Sequence, residues 1–395
     1  MKLPRMAYAV GLLLWSAIAF GMGLSLQAWL PLRTETSALP TPSVVQQQLH
    51  PLLNEAWQLI ETHALVELPP TTSLEHGAIR GLVSSIGDPY AQFNEPAQDH
   101  LVRGHLRGSF GGIGVRFVLN DAGQIVLTPL ANGPAARAGV QNGDILLSVD
   151  GKALPSPARL EDAAGLQGEV GTTVTIEVSR NAQRLQFWIT RELIRIPSVE
   201  WELTSDGQRV GWVRIHQFTE QTASELQETL RALKQHNTTA YILDLRDNSG
   251  GLLDAAVEVA SQFIPEGVIA IEQSRGQAEQ IFHVKRRESR LGLDKPLVVL
   301  VNQQTASAAE IVASAIQHHR RGRLVGTRTF GKGSVQRLFA LSDGSSLRLT
   351  TSRWLTASRQ TLDQRGLMPD VEVEEASEQL RAAIRLLSEA VAQSR

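Results

Sequence analysis

Ser307 and Lys332 provide a hydroxyl nucleophile and an amine base within one short stretch of the chain. Ser307 follows the apolar run 297–301, which predicts a buried strand, and precedes apolar residues at helical spacing up to Ile316, which predict a helix. Backbone N–H groups at a helix start point outward without partners, so an oxygen that gains negative charge during a reaction is stabilised there. The simpler alternative is that Ser307 only caps this helix.

Lys332 has a glycine on each side, which lets the backbone take unusual dihedral angles and approach other groups closely. A lysine that acts as a base must lose its proton near neutral pH, so burial has to lower its pKa from about 10.4 by about three units. A serine within hydrogen-bond reach would then be activated.

The stretch 326–333 also nearly matches a phosphate-binding loop. However, Gly333 stands where that motif needs Ser or Thr, and the residues that follow predict a strand instead of a helix. We therefore do not expect a nucleotide site.

A third polar turn ends the apolar run 240–245 and contains the glycine pair Gly250 and Gly251. Glycines in such a turn can direct a backbone N–H toward a reacting carbonyl group. The alternative is an ordinary strand-to-helix turn that is capped by Asp247 or Asn248. Together with the serine and the lysine, the two glycines become candidates for an oxyanion hole.

Along the chain, the glycine turn comes first, the serine segment second and the lysine loop third. In this order the three segments resemble the carboxy-terminal processing, or tail-specific, serine proteases, and the resemblance extends over nearly the whole chain. The resemblance implies that Ser307 is the nucleophile, that Lys332 is the general base, and that Gln336 orients the lysine. It also implies that two backbone N–H groups bind the oxyanion. One is the N–H of Ala308, and the other belongs to either Gly250 or Gly251.

Residues 101–192 combine short predicted strands with turns and resemble a PDZ domain. A run of glycines near the start of this region could present free N–H groups to a chain-terminal carboxylate, while a substrate tail adds as a strand to the sheet edge. The residues predicted to do so are Gly111, Gly112, Ile113 and Gly114. The alternative is that these glycines only shape a hairpin.

The composition excludes several classes of function. No cysteine is present, so disulfides, thiolate catalysis and zinc–cysteine sites are excluded. The formal net charge of −2 argues against a nucleic-acid partner. The ten histidines show no ligand spacing, and the adjacent His318 and His319 would point to different faces of a helix, so we expect no metal site. The proposed chemistry requires no cofactor.

The N-terminus predicts export. Lys2 and Arg5 precede an uncharged stretch that ends at Leu32 and is long enough to span a bilayer, where about 20 apolar residues are needed. Because positive residues stay inside, we expect residues 1–32 to anchor the chain in a membrane with the body outside the cytoplasm, in the periplasm or on the envelope side. A cleaved signal peptide is the alternative, since Ala17 and Ala19 offer small residues at a cleavage site.

The rest of the chain divides into several predicted parts: a linker at 33–42, a helical region at 43–100, the PDZ domain at 101–192, a protease core at 193–373 and a C-terminal helix at 374–395. Strands and helices alternate within the core, which predicts an α/β fold. The resemblance implies a crotonase-like or Clp-like core, a mainly-β PDZ domain inserted after the N-terminal helical arm, and a homodimer in which this arm takes part.

The combined prediction is a serine endopeptidase with a Ser–Lys dyad that cleaves proteins near exposed apolar C-terminal tails. The PDZ domain would recognise these tails or gate the site. Two alternatives remain open. One is a non-catalytic PDZ scaffold that keeps a protease fold, and the other is a Ser-His-Asp hydrolase that uses His216, His283 or His318.

Overall fold

The computed structural model describes residues 44–204, 209–285 and 291–393 of the 395-residue chain. The predicted anchor and linker, residues 1–42, lie outside the described residues. Among the described residues, none of the helices has both the length and the apolar character that crossing a membrane requires. The described chain begins with three helices and one short strand: α1 (Val44–His63), α2 (Thr71–Ser85), β1 (Gln92–Asn94) and α3 (Pro96–Arg107).

A mainly-β domain follows, and it has a hydrophobic core of its own that includes Ile125, Leu127, Val174 and Ile176. Its larger sheet has the strand order β3–β4–β5–β7–β8, with β6 attached to β5, while β2 and β9 form a separate two-stranded ladder. The elements are β2 (Ser109–Gly112), β3 (Val115–Leu119), β4 (Ile125–Pro129), α4 (Pro134–Ala138), β5 (Asp144–Val149), β6 (Lys152–Ala153), a 3₁₀ helix (Leu160–Leu166), β7 (Thr173–Arg180), β8 (Gln183–Thr190) and β9 (Glu192–Arg195).

The remainder of the chain alternates strands and helices. Its elements are β10 (Val199–Leu203), β11 (Val210–Ile215), α5 (Thr222–Gln235), β12 (Ala240–Asp244), α6 (Leu253–Phe263), β13 (Val268–Ser274), β14 (Gln280–His283), β15 (Leu297–Val301), α7 (Ala308–His318), β16 (Arg323–Gly326), β17 (Ser334–Ala340), β18 (Ser346–Thr356), β19 (Val371–Glu372) and α8 (Ala376–Gln393).

The central sheet of this body has the order β10–β11–β12–β15–β16–β19 and is parallel except for β10. Leu243 and Val299 pack on one face with residues of α5, α6 and α7, and Ile242 and Leu300 pack on the other face with α8. Every residue of β12 and β15 is buried, because both faces of the sheet are covered. These two strands are the apolar runs that precede two of the predicted site turns.

A second sheet has the order β1–β18–β13–β14, and β17 pairs with the other side of β18. β1 belongs to the region predicted to be helical, but it pairs with β18 in the register Gln92↔Arg348 and Phe93↔Leu347. Its partner lies far along the chain, so local sequence periodicity carries no signal for this pairing. The N-terminal region therefore contributes a strand to the protease body.

The predicted fold class is confirmed: an α/β body carries a mainly-β domain inserted after an N-terminal helical region. Helix α3 belongs with the body, because Val102 and Leu106 are buried in the same hydrophobic cluster as Val199 and Val213. The mainly-β domain consequently begins after α3 and not at residue 101.

Candidate active site

Ser307 lies at the start of α7, in the turn that follows the buried strand β15. Its φ of 55° is positive, which is uncommon for a residue other than glycine and recurs at functional sites. The side chain is largely buried and faces a small pocket. This pocket is lined by Gly251, Leu253, Ser307, Ala308, Ile311, Ser334, Val335 and Trp354.

The turn that carries the serine is tied to the turn after β12. The Ala306 N–H donates to the carbonyl of Asn248 over 2.9 Å, and the Asp247 N–H donates to Oδ1 of Asn302 over 3.0 Å. The carboxyl ends of the two strands meet here because β12 and β15 are adjacent and parallel. The structure thereby brings together two of the three segments that the sequence singled out.

The two candidate glycines differ in what their N–H groups do. The Gly250 N–H donates to Oδ1 of Asn248 over 2.9 Å. Within the described residues, the N–H groups of Gly251 and Ala308 have no hydrogen-bond acceptor, and both residues line the pocket beside Ser307. Gly250 is needed for another reason, since a Cβ there would lie 2.8 Å from that of Ser307.

Glu310 links the nucleophile turn to the lysine turn, and sequence reasoning did not select it. Its Oε2 accepts from the N–H of Ser307 and from the N–H of Lys332, each over 2.9 Å. Its Oε1 accepts from Oγ1 of Thr329 over 2.5 Å and from the N–H of Gly331 over 2.8 Å. Burial raises the pKa of Glu310 against the opposing effect of these donors. The available signal was the Ser-x-x-Glu spacing of a helix capping box.

Lys332 has the environment expected of a basic amine, with only 4% of its surface exposed. Burial, assisted by the positive charge of Arg348, lowers the pKa of Lys332 to about 8, while Asp88 and Glu310 act in the opposite direction. Its Nζ lies 4.6 Å from the centroid of the Tyr90 ring. A substantial fraction of the amine is therefore neutral slightly above neutral pH.

Gln336 is fully buried on β17, the strand that follows the lysine loop. Its Nε2 donates to Oγ of Ser334 over 2.9 Å and to Oγ1 of Thr350 over 3.1 Å. The lysine backbone is fixed from the next strand, because Nε1 of Trp354 donates to the carbonyl of Lys332 over 2.8 Å. The orienting role of Gln336 stays a prediction.

Of the three histidines of the alternative triad, His216 lies in the segment that packs against the Gly250 turn, because the carbonyl of Ile215 accepts from Nδ2 of Asn248 and the N–H of Phe218 donates to the carbonyl of Gly250. His318 is in the last turn of α7, so it is about 15 Å along the helix from Ser307. His216 contacts Glu200, with 3.0 Å between Nε2 and Oε2, and His283 ends β14. Within the described residues, no group of three or more His, Cys, Asp or Glu side chains could hold a metal ion.

The four residues predicted to bind a carboxylate do not form one open loop. Gly111 and Gly112 lie in β2 and pair with β9, and the carbonyl of Gly111 accepts from the Gly168 N–H over 3.0 Å. The Ile113 side chain is buried in the core of the mainly-β domain. Gly114, with a φ of 70°, immediately precedes β3.

Among the described strands, β3 pairs only with β4 and is an edge of its sheet. An edge strand offers backbone groups to which an extended peptide can add. The described sheet ends in β3 on one side and β8 on the other, and β3 is the edge that directly follows the predicted segment.

Known proteins match both parts of the chain. The model of Peptidase family S41 matches residues 209–373, and the model of the PDZ domain matches residues 111–190. A carboxy-terminal-processing protease of Bartonella bacilliformis is 35% identical over 319 residues, which cover 78% of this chain and 72% of that protein. A carboxyl-terminal-processing protease of Synechocystis sp. is 34% identical over 80% of this chain and 77% of its own length.

A solved structure of a putative S41 protease from Bacteroides fragilis shares the fold, with a TM-score of 0.51 and 18% identity over 82% of this chain and 93% of that chain. The family resemblance inferred from the three segments is confirmed by the relatives with 34% and 35% identity. The chain therefore belongs to peptidase family S41, with the carboxy-terminal processing proteases, and is a serine-type peptidase that carries a PDZ domain.

Proposed function

We propose that this peptidase cleaves proteins near their C-terminal tails with Ser307 as nucleophile and Lys332 as general base. One observation carries the proposal. The backbone N–H groups of both residues donate to the same oxygen of Glu310, which holds the two turns together beside a buried amine whose pKa is lowered to about 8.

The reaction is acyl transfer to water. Oγ of Ser307 forms a bond to the scissile carbonyl carbon while neutral Lys332 takes the serine proton. The tetrahedral oxyanion accepts hydrogen bonds from the N–H groups of Ala308 and Gly251, which line the pocket beside Ser307. The lysine proton then passes to the leaving amine nitrogen, and that C–N bond breaks. Water attacks the acyl-enzyme with Lys332 again as base, and Ser307 regains its proton.

Replacement of the base tests the dyad. Lys332→Ala should reduce cleavage of a peptide with an apolar C-terminal tail by about 10³-fold, in the range that general-base catalysis contributes. His283→Ala, at an exposed position on β14, is the control and should cleave normally. Retained cleavage by Lys332→Ala would implicate a histidine, and an inactive parent protein would favour the scaffold.

The PDZ domain takes part by binding the substrate tail along the edge of β3, which delivers the tail or relieves a block on the site. The register of the β2–β9 ladder shows where the PDZ domain can be deleted. Gly112 lies opposite Glu192 in the β2–β9 ladder, so residues 113–191 can be replaced by a two-residue Asn-Gly turn that leaves α3 and the body intact. Unchanged tail cleavage together with an unchanged basal rate would contradict a PDZ role.

The N-terminal part supplies location and assembly in this proposal. Residues 1–32 direct the body out of the cytoplasm, as an anchor or as a cleaved signal. The helical arm presents exposed apolar side chains, which suit pairing with the arm of a second copy: Leu52, Leu53, Leu59, Ile60 and Leu65. Cell fractionation with N-terminal mass spectrometry tests the first point. Sedimentation of the parent and of a Leu53→Glu variant tests the second, since the charge should shift a dimer toward monomer.

A further inference from the structure

The turn between α2 and β1 lies directly against the base. Oδ1 of Asp88 accepts from the Tyr90 N–H over 2.9 Å, and Oδ2 accepts from the Thr350 N–H over 3.1 Å. Nε of Arg348 donates to the carbonyl of Tyr90 over 3.2 Å, and its Nη2 donates to Oε1 of Gln92 over 2.8 Å. This turn of the N-terminal region is therefore fixed to β18 at several points.

The fixed turn places an aromatic ring on the amine. Nζ of Lys332 lies 4.6 Å from the Tyr90 ring centroid, within the range in which a cation interacts with a ring face. The same ring removes water from one side of the amine. These effects oppose each other, because the ring electrons favour the ammonium and the loss of water favours the neutral amine.

The same turn also reaches the residue predicted to orient the lysine. Thr350 receives a hydrogen bond from Nε2 of Gln336 through its hydroxyl and donates its N–H to Asp88. Asp88, Thr350 and Gln336 thus form a continuous chain from the N-terminal region to β17. Movement of this turn would therefore disturb both the Tyr90 ring over the amine and the side-chain amide of Gln336.

Charged groups face the amine from three elements: Asp88 in the turn, Glu310 on α7 and Arg348 on β18. Burial raises the pKa of the Tyr90 phenol, and Asp363 adds to this effect, so the ring stays neutral while the lysine titrates. Glu310 accepts from backbone N–H groups and Arg348 donates to the Tyr90 backbone carbonyl, so a substitution of the ring keeps these hydrogen-bond partners. A ring substitution therefore mainly changes how much water reaches Nζ.

We infer that Tyr90 is a positioning residue for the base, because its ring covers the Lys332 amine and excludes water from it. The N-terminal region thereby completes the active site of the body. This inference rests on the proposed function, in which Lys332 must be neutral to accept the serine proton.

The test is the pH dependence of kcat/KM for cleavage of one peptide. The acid limb of the parent should lie near pH 8, where the lysine loses its proton. Tyr90→Ala should move this limb upward by about one pH unit, and so reduce kcat/KM near pH 7 by about tenfold, with recovery at higher pH. Tyr90→Phe, which keeps the ring, should restore the position of the limb.

Phe339→Ala is the matched control, since it removes a half-exposed aromatic ring from β17 and should leave the limb in place. If Tyr90→Ala fails to fold, Tyr90→Gln carries the test, because it keeps bulk but brings a hydrated amide to the amine. An unmoved limb in a folded variant, or a downward shift, overturns the inference. Lys332→Ala separates this failure from failure of the dyad: an active Lys332→Ala protein rejects the dyad itself.

Discussion

The proposed active-site corner, formed by the turns that carry Gly250–Gly251, Ser307 and Lys332, differs from the PDZ domain in how it uses glycine. In the corner, Gly250 and Gly251 have φ values of 109° and 138°, a backbone path that leaves the Gly251 N–H available beside Ser307. In the PDZ domain, Gly111 sits in a paired strand, where a Cβ would lie 2.1 Å from the carbonyl oxygen of Gly168. The first region needs glycine to aim a donor, and the second needs it for close approach of two backbones.

The two regions also differ in how they bury charge. In the PDZ domain, Asp144 is held by Arg180 through two hydrogen bonds, of 2.7 Å from Nε and 2.6 Å from Nη2. In the corner, Lys332 is buried where a neighbouring cation, Arg348, disfavours its charged form. A paired ion supports the fold, whereas an amine forced toward neutrality costs stability and supplies reactivity.

A large effect on both activity and stability is expected from the carboxylate of Glu310, which links the serine and lysine turns. Glu310→Ala leaves buried N–H donors of Ser307, Gly331 and Lys332 without an acceptor, at about 1–3 kcal/mol each. We expect kcat to fall by at least about 100-fold and the thermal midpoint to drop. Kinetics and thermal unfolding check both effects, with the exposed Glu389→Ala as the control. Activity close to that of the parent would mean that the corner does not depend on this link.

Two alanine substitutions test whether glycine has different roles in the proposed active site and in the PDZ domain. Gly251→Ala places a Cβ 2.1 Å from the carbonyl oxygen of Phe218, inside the corner, so it should abolish basal cleavage. Gly111→Ala creates the same clash inside the PDZ domain, so it should change the response to a free substrate C-terminus and spare basal cleavage. Peptides with free and amidated C-termini measure the difference. Equal loss of basal activity in both variants would remove the distinction.

Burial of Lys332 should lower the stability of the folded protein while it supplies the neutral amine that the proposed reaction needs. The folded pKa of Lys332, about 8, lies below its ordinary value of 10.5, so the unfolded chain binds more protons between these values and stability rises with pH there. Below about pH 8 the burial cost is fully present. Lys332→Met should therefore raise the thermal midpoint at pH 7 by about 4 °C, and the gain should shrink toward pH 10. A gain that is independent of pH would point to packing instead of charge.

The smallest effect is expected in the PDZ domain. Burial pushes the pKa of Asp144 upward, but the hydrogen bonds from Arg180 and from the Gln141 N–H bring it below its ordinary value of 3.8. The pair therefore stabilises the domain above about pH 4 and loses its effect as the pH falls further. Asp144→Asn should cost about 1–3 kcal/mol at pH 7 and less at pH 3, with basal cleavage unchanged. Urea unfolding at both pH values measures this.

The family, the fold class and the proposed nucleophile and base could be predicted from the sequence. Their signals are local, because each candidate residue lies in a short segment with its own pattern. The strand before Ser307 and the glycines around Lys332 are local signals of this kind. Glu310 and Tyr90 were missed, since their importance arises from contacts with residues distant in the sequence. Gly250 could not be separated from Gly251 by sequence, because only the folded turn shows which N–H has another acceptor.

The hydrogen bond between Asp88 and Thr350 joins residues 262 positions apart in the chain. Contacts with such separation close a long loop and form slowly compared with local ones. A nascent or truncated peptidase that lacks β18 consequently has a serine turn but no assembled base. In the proposed mechanism, the base is therefore assembled only after β18 has been made and has packed against the lysine loop and the Asp88 turn.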